Sequence, residues 1–82
     1  MPKFRKRPII VEAEQYREDQ DHHVPGVQEQ HYKGLPTRYY VVTMHGQRVY
    51  LEPGDWVIAE PDGEHFYPCK PEEFARIYEP VP

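Results

Sequence analysis

Between Leu51 and Tyr78 the chain reads LEPGDWVIAEPDGEHFYPCKPEEFARIY, and two proline–glycine turn signals plus a proline-led helix start leave this stretch few ways to fold. Glu52-Pro53-Gly54-Asp55 has the form of a type II turn: proline pre-sets φ near −65° at the second position and glycine supplies the positive φ needed at the third. Trp56-Val57-Ile58-Ala59 is a run of β-formers too short for a helix and predicts a strand over 55–60. Pro61-Asp62-Gly63 then turns the chain back, so a hairpin partner is expected over 64–68, where Pro68 ends the pairing because it cannot donate to a ladder. Pro71 suits a first helical position, and Glu72 and Glu73 follow it at the positive end of the helix dipole, which predicts a helix over about 71–78. Phe74, Ile77 and Tyr78 share a face at spacings of three and four. Glu79-Pro80 stops the helix after roughly two turns, so it needs packing on the sheet to persist. Trp56 is expected to be buried as the anchor of the core.

Upstream, the β-branched Ile9-Ile10-Val11 run passes into alternation and predicts a first, half-buried strand over 8–16, with Pro8 at its opening. Residues 17–37 show no periodicity apart from turns at Val24-Pro25-Gly26 and Lys33-Gly34-Leu35-Pro36, and are expected to form an irregular loop. Thr37–His45 alternates on both sides, with Tyr40, Val42 and Met44 on one face and Tyr39, Val41 and Thr43 on the other; a central strand over 38–45 is expected. His45-Gly46 is a tight-turn candidate leading into a strand over 47–52, in which Val49 and Leu51 share a face. The sum is one domain over 1–82, α+β but mainly β: an antiparallel meander of about five strands forming a curled sheet or small open barrel, with one short C-terminal helix.

A single domain of 82 residues buries little apolar area, and 38% hydrophobic residues with 13% aromatics makes Tyr, Phe and Trp supply much of it. Ten prolines stiffen the connections and lower the entropy of the unfolded chain. Homo-oligomerisation would be another supplement. The lone Cys69 excludes an intrachain disulfide and suits a reducing compartment. Neither a signal peptide nor an apolar run of transmembrane length is recognisable, so a soluble cytoplasmic protein with no membrane partner is expected.

The net charge of −4 argues against general nucleic-acid binding. Its distribution is uneven: residues 1–7 hold Lys3, Arg5, Lys6 and Arg7, while residues 49–82 hold eight acids against Lys70 and Arg76, a balance of −6. The basic arm is read as complementing the acidic half of its own domain or of a neighbouring subunit.

No catalytic pattern is recognisable. His22, His23, His31, His45 and His65 include no helical metal pair and no spaced zinc set. Asp55, Glu60, Asp62 and Glu64 cluster about two turns without the spacing of a calcium loop. Cys69, next to Lys70 and a helix start, sits where a thiol pKa can fall, but it lacks a Cys-His-Asn signature and reads first as a small buried hydrophobe. No cofactor is expected. The seven tyrosines are the strongest functional hint, since tyrosine offers large contact area at low entropic cost. With neighbouring basic groups they give the binding candidates Tyr39, Tyr50, Tyr67, Arg48, His65 and Lys70.

Two resemblances bear on function. The run from Gly54 to His65 resembles the second motif of cupins, but its spacing is off by a residue on each side of the turn and the paired-histidine first motif has no counterpart. More extensively, Phe4-Arg5-Lys6-Arg7-Pro8, Val11-Glu12-Ala13, Pro53-Gly54-Asp55-Trp56-Val57-Ile58, Gly63-Glu64, Phe66-Tyr67-Pro68-Cys69-Lys70-Pro71, Phe74 and Tyr78-Glu79-Pro80 resemble a family of small proteins encoded by tailed bacteriophages and prophages. The resemblance covers both ends, and residues 17–37 fall where such proteins vary in length. It implies a phage setting without an activity. The expected function is that of a non-enzymatic phage accessory protein acting by binding, to a host or defence protein, in the host cytoplasm. The alternatives are a homo-oligomeric binder of a nucleotide-like signal, a cupin-like metal or cysteine enzyme, and a virion component.

Overall fold

The architecture divides at the turn Glu52–Asp55. A computed structural model describes residues 1–5, 9–18 and 24–81; Pro8, His22 and His23 lie outside them. In chain order the elements are β1 (Ala13–Gln15), β2 (Gln28–Gln30), β3 (Arg38–Val42), β4 (Arg48–Tyr50), β5 (Trp56–Ala59), β6 (Phe66–Cys69) and α1 (Pro71–Ile77). The chain is mainly β with one short C-terminal helix, as its residue patterns predict. The strands form two antiparallel three-stranded sheets, ordered β1-β5-β6 and β2-β3-β4, and no barrel closes.

Each hairpin is set by its turn. Thr43–Gly46 closes with the Gly46 amide donating to the Thr43 carbonyl at 2.9 Å, and the Tyr40–Tyr50 and Val42–Arg48 pairings follow. Gly63 donates to Glu60 at 3.1 Å and sets β5 against β6 in the register Ile58–Tyr67. At Glu52–Asp55 the expected type II turn forms, with Gly54 at φ 98° and the Asp55 amide donating to Glu52 at 3.0 Å. This turn moves the chain from one sheet to the other instead of making a hairpin. Asp55, only 3% exposed, fixes it from within: its carboxylate accepts the Glu52 amide at 2.9 Å and the Lys70 ammonium at 3.2 Å. Tyr16 backs onto the same turn, donating to the Asp55 carbonyl and accepting from the Gly54 amide, both at 2.8 Å. That double bond draws β1 alongside β5.

The core lies between the sheets. Val41 and Val57 bury completely or nearly so, Tyr16 and Val24 join them, and Val27, Tyr39, Val49, Leu51 and Phe66 pack around this cluster. Full burial of each aliphatic side chain is worth roughly 1.5–3 kcal/mol. The turn at 24–27 reaches this core because Gly26 has no side chain: an added Cβ would enter the Phe66 ring, and φ is 85°. The other face of β1-β5-β6 is covered by α1. There Phe74 stacks on Trp56 with centroids 4.1 Å apart and planes 5° from parallel, and on Tyr78 at 5.0 Å.

Four expectations are corrected. Trp56 is half-buried beneath the helix and is not a member of the inter-sheet core, because β5 alternates and it is Val57 that points inward. Ile77 stays 58% exposed, since a seven-residue helix turns only Phe74 and Tyr78 onto the aromatic row. The first strand begins at Ala13 and not at residue 8, with Ile9 and Ile10 exposed, because β5 offers partners only as far as the bond from Ala59 to Glu12. Finally, residues 17–37 are not wholly irregular, since they contain β2, an edge strand recruited by β3.

Candidate functional site

Two tripeptides build the surface that stands out chemically. Arg38-Tyr39-Tyr40 in β3 and Arg48-Val49-Tyr50 in β4 each place Arg and Tyr two residues apart, on the same side of a strand. Antiparallel pairing of Tyr40 with Tyr50 then sets each arginine diagonally across from the other strand's tyrosine. The guanidinium carbon of Arg38 lies 3.7 Å from the Tyr50 ring centroid and that of Arg48 lies 4.7 Å from Tyr40. The two rings are 5.9 Å apart. β2 completes the face: Tyr40 donates its hydroxyl to Gln28 Oε1 at 3.1 Å, and Tyr50 to Gln30 Oε1 at 2.5 Å. Arg48 also reaches Gln30 Oε1, at 3.5 Å. Both arginines are exposed, and neither meets a carboxylate among the described residues.

Of the residues expected to bind, Arg48 and Tyr50 come together here. Tyr39 lies on the opposite side of β3, against the Tyr16 ring at 5.6 Å, where it serves the core. Tyr67 lies on the helix side of β6, and its hydroxyl is 3.0 Å from that of Tyr78; burial first, then this hydrogen bond, raises its pKa. Lys70 is engaged by Glu52 at 3.1 Å and by Asp55, and these contacts raise its pKa. Missing from the expectation were Arg38, Tyr40, Gln28 and Gln30. The repeated Arg-x-Tyr at register-matched positions is the signal that would have found two of them.

The ammonium of Lys70 is turned toward Glu52 and Asp55, and burial with the nearby acids Glu73 and Asp55 raises the Cys69 pKa. That is the opposite of what activates a thiol. His31 pairs with Glu29 at 2.9 Å and Thr37 at 3.1 Å. Among the described residues no three His, Cys, Asp or Glu side chains converge to hold a metal. Of the acids about the two turns, Asp55 is engaged as above, Glu60 by the Met44 amide, and Asp62 by its own turn.

Asp62 and His65 form a clip within the β5–β6 turn. The Asp62 carboxylate accepts the Glu64 and His65 amides, both at 2.9 Å, and approaches His65 Nδ1 at 2.5 Å. The Glu64 amide, then the His65 ring and amide, hold the Asp62 pKa at about 2; the same pairing raises that of His65. The carboxylate's contribution to the turn is present above its ordinary value of 3.8 and lost as pH falls toward 2. The imidazolium's contribution is present below 6.5 and lost as pH rises through the raised value. The turn is therefore held best between about pH 4 and 6.5. NMR titration should give His65 a midpoint above the ordinary imidazole value, returning to it in Asp62→Asn; a midpoint unmoved by that change would refute the clip.

No family model matches the chain, and no curated protein or solved structure matches it either. Among the described residues no helix is long and apolar enough to cross a membrane.

Proposed function

We propose that this is a non-enzymatic binding protein whose recognition surface is the outer face of β2-β3-β4, and that its partner is a protein. The observation that carries this reading is the pair of exposed guanidinium groups stacked on Tyr40 and Tyr50 with no carboxylate of their own. Stacking holds long side chains in one orientation before a partner arrives, which lowers the ordering cost of association. Arginine and tyrosine are also the residues that most often dominate interface energetics. A nucleotide-like ligand would need free ring faces for base stacking, whereas a guanidinium already occupies one face of each ring. The resemblance of both chain ends to small phage and prophage proteins supplies the setting: a host or defence protein in the bacterial cytoplasm.

The test is site-specific photo-crosslinking in a bacterial host. A photoreactive residue at Val42, level with Arg48 and on the same side of β3 as Arg38 and Tyr40, is expected to capture discrete protein adducts, while one at Glu72 on the exposed side of α1 is not. Adducts from Glu72 alone, or from neither position, would overturn the assignment of this face.

A further inference from the structure

Resting on that reading, we infer that the partner presents carboxylates to this face, as an acidic and extended protein segment whose side chains are gripped by Arg38 and Arg48. The inference comes from counting what the face has left to offer. The Tyr50 hydroxyl and an Arg48 N–H both point at Gln30 Oε1, and the Tyr40 hydroxyl points at Gln28 Oε1. The two amide oxygens are thereby engaged, and what each amide has left to offer is its NH2 group, a donor. The guanidinium groups carry donors only. The outward chemistry is therefore nearly all donor and doubly positive, in a chain whose net charge is −4. A ligand matching it brings acceptors and negative charge.

Two features favour carboxylates over a single phosphate. Arg38 and Arg48 approach the tyrosine pair from opposite ends: Arg48 is level with Val42, four residues along β3 from Arg38. At about 3.4 Å per residue their backbones are ~14 Å apart along the strand direction. The guanidinium groups themselves fold inward from there, each fork over its own ring, and the two ring centroids are 5.9 Å apart. Among the described residues no helix terminus of the kind that cradles a phosphate adjoins this face, whose elements are the strands β2, β3 and β4. A guanidinium fork fits one carboxylate in a bidentate pair, and alternate residues of an extended segment place carboxylates on one side at about 7 Å intervals.

The experiment is calorimetric titration of the full chain at low ionic strength with a short synthetic peptide alternating glutamate and threonine. Its glutamine–threonine counterpart, an oligothymidylate and inorganic phosphate are run in parallel. Saturable binding of the glutamate peptide alone is expected. Arg38→Gln and Arg48→Gln should each weaken it on the order of tenfold, salt should weaken it further, and Arg76→Gln on α1 should leave it unchanged. Thermal unfolding of each variant establishes that the fold persists. Failure of the glutamate peptide to bind, or binding indifferent to both arginine changes, overturns the inference. Oligothymidylate or phosphate binding in its place overturns it in favour of phosphate. If no peptide binds while crosslinks from Val42 still form, the acidic class has failed and the binding surface stands; loss of both removes the surface itself.

Discussion

Replacing Gly26 with alanine is expected to destabilise the protein by about 3 kcal/mol or more, against a total of roughly 4–12 kcal/mol for a chain of this length. Two costs combine. The new Cβ enters the Phe66 ring, and φ at this position is 85°. Overpacking a filled core costs roughly 1–3 kcal/mol, and a side chain in left-handed backbone adds about 1–2 kcal/mol. Neither is easily relieved, because Phe66 is fixed in β6 opposite Ala59 and packs against the inter-sheet cluster. Urea unfolding of Gly26→Ala, Phe66→Leu and the double variant checks the cause. The alanine should cost less where the ring is absent, and strictly additive losses would show that Phe66 is not what it meets.

Trp56→Ala is the second large effect, expected at about 2–3 kcal/mol, below the 3–5 kcal/mol of a fully buried aromatic because Trp56 is half-buried. Its outcome should be spatially uneven. α1 has seven residues and no side-chain hydrogen bond at its N-cap, so its persistence depends on Phe74 lying against the indole. Hydrogen exchange should accelerate at the Phe74 and Tyr78 amides while Val41 and Ile58 between and within the sheets stay protected. Equal acceleration everywhere would return Trp56 to the role of core anchor, and unchanged α1 amides would mean that the helix is held by something else.

The contrast between these positions shows what the sequence makes legible. Local chemistry could be read directly: the turns at Glu52–Asp55, Pro61–Gly63 and His45–Gly46, the helix start at Pro71 and the two-sided central strand β3 all follow from residues adjacent in the chain. Which strands pair is not written locally. Turn signals mark where the chain reverses, and a meander is the economical assumption, but β5 turns from β4 to β1 because Asp55 and Tyr16 lock together across a long sequence separation. β2 was invisible because Gln28-Glu29-Gln30 has no β propensity; it is a strand through its partner Tyr40 and its neighbours on β3. For the proposed recognition face, Arg48 and Tyr50 are accessible to composition-based reasoning, whereas Arg38 and Tyr40 require the register. Tyr39, chosen on composition, shows the penalty for ignoring alternation.

That alternation also governs how such a chain can diversify. In β3 and β4 the inward positions 39, 41 and 49 are tied to the packing between sheets, while positions 38 and 48 are exposed and lie against the outer-face tyrosines. Well-separated sites without shared partners respond to substitution almost independently. The arginines can thus be exchanged under selection for a changing partner with little loss of folding free energy. A lineage pressed to follow a mutating target would keep its interior, the buried Tyr40 included, and rewrite positions 38 and 48.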